Sequence, residues 1–139
     1  MSTQKYGNPI TLAEARRVVD AAEAEAASNG WAVVIAVTDS GGNLMLLQRM
    51  DHAQLGSVDI ARAKAATAVR FKRPTKSFED GLEQGGRMHR ALSMEGVCAV
   101  EGGIMLVRND EIIGGIGVSG VLPTQDAQVA AAGAAVIAD

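Results

Sequence analysis

The sequence predicts a single α+β domain in which helices cover one mainly antiparallel sheet. Segments with apolar residues at helical spacing alternate with short β-branched runs, which are typical of buried strands. Most of these runs are joined by short turns, so neighbouring strands are expected to be antiparallel. The chain has 139 residues, of which 47% are hydrophobic and 21% charged. One domain with a substantial core is therefore expected.

The first third of the chain predicts a helix followed by a β-hairpin. Thr11 and Glu14 have capping-box spacing at the start of a helix predicted over 11–29. An apolar β-branched run at 31–38 and a second predicted strand at 44–49 flank a glycine-containing turn. These two runs are predicted to pair as a hairpin with a loop longer than the tightest type.

A second helix and several shorter pieces follow. Alanines and valines at helical spacing predict a helix over 53–71, which Pro74 ends because proline disfavours helix in the preceding residue. Short helical pieces are predicted over 77–92, interrupted by adjacent glycines. A short apolar run at 97–100 is predicted to be a strand.

The last third predicts a second hairpin and a final helix. Strands at 104–107 and 112–118 are separated by Asn109 and Asp110, which favour a tight two-residue turn. The alanine-rich segment 122–139 is predicted to be a helix with small residues on its surface. Small residues allow close packing, and we expect a homo-oligomer on this basis.

Charge and composition exclude several functions. The formal net charge is −3, whereas a nucleic-acid-binding protein should present a basic face. No apolar run reaches the length that spans a bilayer, and no membrane partner is expected. Cys98 is the single cysteine, so no intrachain disulfide can form, and a cytoplasmic location is the simplest expectation.

Four segments together resemble the GlcG/HbpS family, also called the haem-degrading or DUF336 domain. They are VTDSGG at 37–42, QRMD at 48–51, ARAKAATA at 61–68, and GGIGVSG at 114–120 followed by Gln125 and Asp126. The resemblance also extends to the C-terminal domain of PduO-type adenosyltransferases. In one respect the chain departs from the family, because Met105 stands where a proline usually follows the paired glycines.

The resemblance implies a five-stranded antiparallel sheet packed with helices in a profilin-like layout. It also implies oligomers, namely dimers, tetramers or octamers, and a small-molecule ligand. Haem or another tetrapyrrole is one implied ligand class, and a small organic anion is the other. The alternative is a small cofactor-independent catabolic enzyme, an isomerase, hydrolase or deaminase acting on a polar organic acid.

The end of the predicted strand at 112–118 is a candidate anion site. Gly117, Ser119 and Gly120 lead into the final helix, whose N-terminus offers unpaired N–H donors. Asp126 belongs to the family-like motif and is included as a ligand-binding candidate. The other interpretation is an ordinary strand-to-helix turn with closely packed backbone.

A second candidate group combines two cations with two carboxylates. Arg49 and Asp51 close the first hairpin, and Lys64 lies on the alanine-rich face of the second helix. Lys64 could hold an anionic ligand, or it could act with Glu101 as a catalytic pair. Alternatively, Arg49 and Asp51 form a surface pair and Lys64 is solvated. Folding is expected to survive Lys64→Met, because the lysine is taken to be unpaired.

The sequence establishes no cofactor, and haem is the one candidate considered. His52 and His89 are the two histidines that could ligate its iron, but neither lies in a recognisable haem motif. Weak haem binding is therefore expected. Cys98 is interpreted as a buried, unreactive thiol, and no cluster has metal-ligand spacing.

Overall fold

Five strands form one sheet in the computed structural model, which describes residues 2–137. They are β1 (Lys5–Tyr6), β2 (Val34–Asp39), β3 (Leu44–Arg49), β4 (Gly103–Arg108) and β5 (Glu111–Ser119). β5 is central, pairing antiparallel with β2 and β4, and β2 pairs antiparallel with β3. β1 pairs with the start of β5 in parallel. The predicted five-stranded α+β architecture is confirmed, with this one parallel pair as a difference.

Helices cover both faces of the sheet. They are α1 (Leu12–Ser28), α2 (Ser57–Arg70), α3 (Lys76–Gln84) and α4 (Pro123–Ala134), with a 3₁₀ helix over Gly86–Ser93. Side chains alternate across β2, as the two-residue period of a strand requires. Val33, Ile35 and Val37 belong to the core beneath α1 and α4, whereas Val34 and Ala36 pack beneath α2.

Local sequence signals account for the ends of several elements. Thr11 and Glu14 form the predicted capping box, in which the Thr11 hydroxyl accepts from the Glu14 N–H at 3.2 Å. Asn109 and Asp110 both have positive φ angles, 51° and 62°, as a tight type I′ hairpin turn requires. These two predictions are confirmed.

Three sequence expectations need correction. The segment 97–100 is irregular rather than a strand, and the fifth strand is β1, which the sequence did not predict. α4 ends at Ala134, and the last two residues of the predicted helix lie outside the described part. No helix within residues 2–137 is long and apolar enough to cross a membrane.

Candidate functional site

A buried ion pair joins α2 to α4. The Lys64 ammonium donates to the Asp126 carboxylate at 3.0 Å and to the Val118 carbonyl at 2.9 Å. The two charged side chains are 1% and 3% exposed. The other Asp126 oxygen accepts from the Val121 N–H at 3.1 Å. Charges this deeply buried are retained only when they are paired and hydrogen-bonded, as these are.

Two competing effects act on the Asp126 carboxyl. Burial raises its pKa above the ordinary value of 3.8, because the charged form loses water. The Lys64 ammonium and the backbone N–H donors oppose that shift by stabilising the carboxylate. Burial has the larger effect, so the carboxyl is easier to protonate than an exposed aspartate.

Glycines allow α2 to lie directly on the sheet above this pair. A Cβ atom at Gly117 would overlap the carbonyl oxygen of Ala61 on α2. A Cβ atom at Gly102, whose φ is 132°, would lie 2.8 Å from the Lys64 ammonium. Both glycines are therefore needed for close backbone approach. The loop before β4 closes over the ion pair through Gly102.

This arrangement corrects the premise of the predicted anion site. The anion beside the first turn of the final helix is the chain's own Asp126 carboxylate. Lys64 is not an unpaired cation, because that carboxylate neutralises it. The space above Gly117 is filled by α2 backbone, so no external anion reaches Gly117 in this structure.

The neighbouring candidates have structural contacts as well. The Ser119 hydroxyl is buried and donates to the Ser57 hydroxyl at 2.9 Å. Gly120 has a φ of 148°, and a Cβ atom there would lie 2.7 Å from the Ala32 carbonyl oxygen. The structure thus brings Lys64, Gly117, Ser119, Gly120 and Asp126 together, at a packed junction.

The remaining candidates lie apart from this junction. Arg49 and Asp51 are exposed at the end of the first hairpin, and neither forms an ion pair within residues 2–137. Glu101 is half-buried. The pKa of Lys76 is raised mainly by its hydrogen bond to Asp80, and the Glu101 charge adds to this effect. No direct Glu101–Lys64 hydrogen bond is formed in the described chain.

The histidines and the cysteine show no prepared ligand geometry. His52 and His89 are both exposed, and the described residues contain no group of three His, Cys, Asp or Glu side chains that could hold a metal ion. Burial raises the pKa of the Cys98 thiol, against an opposing effect of Lys64. Its backbone N–H donates to Thr67 at 3.0 Å.

An open cavity of about 540 Å³ lies on the outer side of α2, against the β2–β3 turn. This α2 cavity is within the size range of small-molecule sites. Ala63 and Ala66 contribute apolar surface, and Arg62 and Arg70 contribute charge. The full lining is Gly42, Asn43, Leu44, Asp59, Arg62, Ala63, Ala66, Arg70 and Gly96.

The two arginines of the α2 cavity are held loosely. Arg62 pairs with Asp59 at 3.1 Å, with both side chains more than half exposed. Arg70 donates to the Gly42 carbonyl at 3.3 Å. Surface interactions of this kind contribute little energy, so both guanidinium groups are free to take a better partner. Sequence reasoning missed both residues, although their eight-residue spacing along one helix was visible.

These features define a class of protein: a small α+β domain whose glycine-rich central strand is covered by α2, which a buried ion pair joins to α4. The chain belongs to the family described as haem-degrading protein HbpS-like, whose model matches residues 10–135. The family resemblance seen in the sequence is thereby confirmed.

Known relatives cover most of the chain. Protein GlcG of Escherichia coli K12 is 40% identical over 105 residues, 76% of this chain and 77% of GlcG. The Klebsiella pneumoniae protein ORFY has a TM-score of 0.90 at 32% identity, covering 99% of this chain and 96% of ORFY. PduOC, solved as a haem complex, has a TM-score of 0.85 at 29% identity, covering 93% of this chain and 95% of PduOC.

Proposed function

We propose that the protein binds a carboxylate-bearing small molecule, either a tetrapyrrole or a smaller organic anion, in the α2 cavity. The carrying observation is the pair of exposed guanidinium groups, Arg62 and Arg70, beside the apolar surface of Ala63 and Ala66. Arginine binds carboxylates through two parallel hydrogen bonds. A ligand with an apolar body and acidic groups fits both parts of the lining.

The spacing of the arginines bears on the size of the ligand. Arg62 and Arg70 are eight residues apart on α2, so their backbones are roughly 12 Å apart along the helix axis. Long, flexible side chains shorten that span at the guanidinium groups. A planar molecule with two carboxylates, such as a porphyrin with its propionates, could contact both, whereas a small monocarboxylate would contact one.

The cavity suits the carboxylates of haem better than its iron. None of the described lining residues is His, Met, Cys or Tyr, the side chains that ordinarily ligate haem iron. The haem complex of PduOC supports tetrapyrrole binding within the family. For this chain we therefore expect recognition through carboxylates, without a histidine-ligated iron.

The proposal is tested by titrating the protein with haemin and, separately, with iron-free protoporphyrin IX. Equal affinities, without a sharp low-spin haem band, are expected if carboxylates carry the binding. The double variant Arg62→Met/Arg70→Met should bind haemin and protoporphyrin IX at least about tenfold more weakly, since each charge-assisted hydrogen bond contributes roughly 1.5–3 kcal/mol. Arg17→Met, on the exposed side of α1, is the matched control. Haemin-only binding that is lost in His52→Ala or His89→Ala would contradict the proposal.

The enzyme alternative would have to use the buried ion pair of Lys64 and Asp126. Burial raises the pKa of the half-buried Cys98 thiol, and the Lys64 charge opposes this shift. A substrate would reach the ion pair only if the loop carrying Gly102 moved away. The geometry supports binding over catalysis, because Lys64 is neutralised and has no path to solvent. Turnover of an organic acid that is abolished by Lys64→Met in a folded variant would favour the enzyme.

We also propose that the chain forms a homo-oligomer. Several large apolar side chains are strongly exposed, among them Leu55 at 72% and Leu122 at 63%, each next to the first turn of a helix. A second copy of the chain could cover them. Light scattering at micromolar concentration should show a dimer, tetramer or octamer, and a strictly monomeric sample would refute this proposal.

A further inference from the structure

A second cavity, of about 320 Å³, lies at the C-terminal end of α2. Its lining, here called the basic cleft, consists of Ser2, Tyr6, Arg70, Phe71, Lys72 and Arg73. Three of the six residues are cationic and none is acidic. Within residues 2–137, no carboxylate lies within 4.0 Å of the charged nitrogens of these three cations. The cleft is therefore strongly positive on a chain whose net charge is −3.

Capping of α2 explains only one of these cations, Arg73, whose side chain donates to the carbonyl of the C-cap residue Phe71. The Arg73 N–H donates to the Ala68 carbonyl and the Lys72 N–H to the Val69 carbonyl. These two bonds form a Schellman motif, which satisfies the last carbonyls of the helix through the backbone alone. The Tyr6 hydroxyl adds a further bond to the Val69 carbonyl at 2.8 Å. The side chains of Arg70 and Lys72 are thus not needed to cap the helix.

Lys72 occupies a position that favours glycine. Its φ is 52°, in the left-handed region that non-glycine residues rarely adopt, and this is the C′ position where glycine is strongly preferred. A lysine here strains the backbone, while its ammonium is held 4.8 Å from the centre of the Tyr6 ring. Strain of this kind persists at functional sites, where the side chain serves a purpose other than stability.

The walls of the cleft are fixed by further contacts. The Ser2 N–H donates to the Lys72 carbonyl at 3.2 Å, and the Arg73 side chain donates to the Phe71 carbonyl at 3.0 Å. The cations are consequently held near one another before any ligand arrives. Three neighbouring positive charges without a carboxylate partner favour a compact, multiply charged anion.

We infer that the basic cleft is a binding site for a phosphate group, either free phosphate or the end of an organic phosphate. The site is separate from the proposed carboxylate site, with Arg70 as the single charged residue that lines both cavities. Tyr6 and Phe71 offer aromatic surface to the organic part of a phosphorylated ligand. A free anion would use only the cations.

The test is a titration of the ¹⁵N-labelled protein with inorganic phosphate and with phenyl phosphate, at low ionic strength because salt screens exposed charges. Saturable amide shifts are expected in residues 2–6 and 70–73. Tighter binding of phenyl phosphate would identify an organic phosphate as the better ligand, and equal binding would identify the free anion. Absence of saturable shifts with both probes would overturn the inference.

The decisive variant is Lys72→Gly. It should bind phosphate at least about tenfold more weakly while being as stable as the wild type or more stable, since glycine relieves the strained φ. Lys76→Met is the matched control, because Lys76 lies outside the cleft and pairs with Asp80 at 2.7 Å. Arg62→Met should weaken the binding of ligands in the α2 cavity and leave phosphate affinity unchanged, which distinguishes the two sites. Wild-type phosphate affinity in Lys72→Gly would overturn the inference.

Discussion

Lys64→Met tests the buried ion pair most sharply. The substitution removes a charge that is 1% exposed and leaves the Asp126 carboxylate buried without its cation. It also leaves the Val118 carbonyl without the donor that Lys64 supplies at 2.9 Å. Methionine has nearly the shape of the lysine stem, so the effect reports charge and hydrogen bonding rather than a cavity.

The expected loss is large for a domain of this size. Breaking a buried pair by removing one partner costs about 3–5 kcal/mol, a considerable part of the roughly 5–15 kcal/mol that stabilises a typical domain. Asp126→Asn should cost a similar amount, because it leaves Lys64 charged and unpaired. In the double variant no unpaired charge remains, so we expect a coupling energy of about 2–3 kcal/mol.

The assay is urea unfolding of the wild type, the two single variants and the double variant. The slope of the unfolding free energy against urea concentration is compared among them as a check on two-state behaviour. The loss in Lys64→Met should grow as pH rises through the pKa that Asp126 has in the folded wild type, because the Lys64 charge lowers this pKa and its removal raises the pKa further. Single variants within about 1 kcal/mol of wild type, or strictly additive losses in the double variant, would show that Lys64 and Asp126 do not stabilise the fold as a pair.

Three further predictions concern packing, acid stability and thiol reactivity. Gly117→Ala should destabilise the fold by about 1–3 kcal/mol, measured by thermal unfolding, because a methyl group would overlap the backbone of α2. The pKa of Glu14 is lowered by the backbone N–H of Thr11 and by Arg108. The stabilising contribution of Glu14 is therefore complete above pH 4.5 and is lost in acid. Glu14→Gln should make the free energy of unfolding depend less on pH in this acid range. Cys98, with its raised pKa, should react with a disulfide reagent at pH 7 more slowly than an unfolded control, and equal rates would contradict its burial.

Local signals in the sequence were sufficient for much of the fold. The capping box at Thr11 located the start of α1, and Asn109 with Asp110 located the turn between β4 and β5. Each signal acts within three or four residues, so it can be read without knowing the tertiary structure. The two-residue β1 has no such signal, because its pairing with the start of β5 is a tertiary contact.

The site was harder to predict because its partners are distant in the chain. Lys64 and Asp126 are 62 residues apart, and no periodicity links a lysine on one helix to an aspartate on another. The sequence showed that both residues belong to family-like motifs, but not that they neutralise each other. The α2 cavity was missed for a related reason: Arg62 and Arg70 read as an ordinary solvated helix face until the β2–β3 turn is placed beside them.

The most direct test of the proposed function is a crystal structure of the protein with bound protoporphyrin IX. The porphyrin is expected in the α2 cavity, with its carboxylates within about 2.7–3.2 Å of the guanidinium nitrogens of Arg62 and Arg70. A porphyrin bound elsewhere, with both arginines still in contact only with Asp59 and Gly42, would contradict the proposed function.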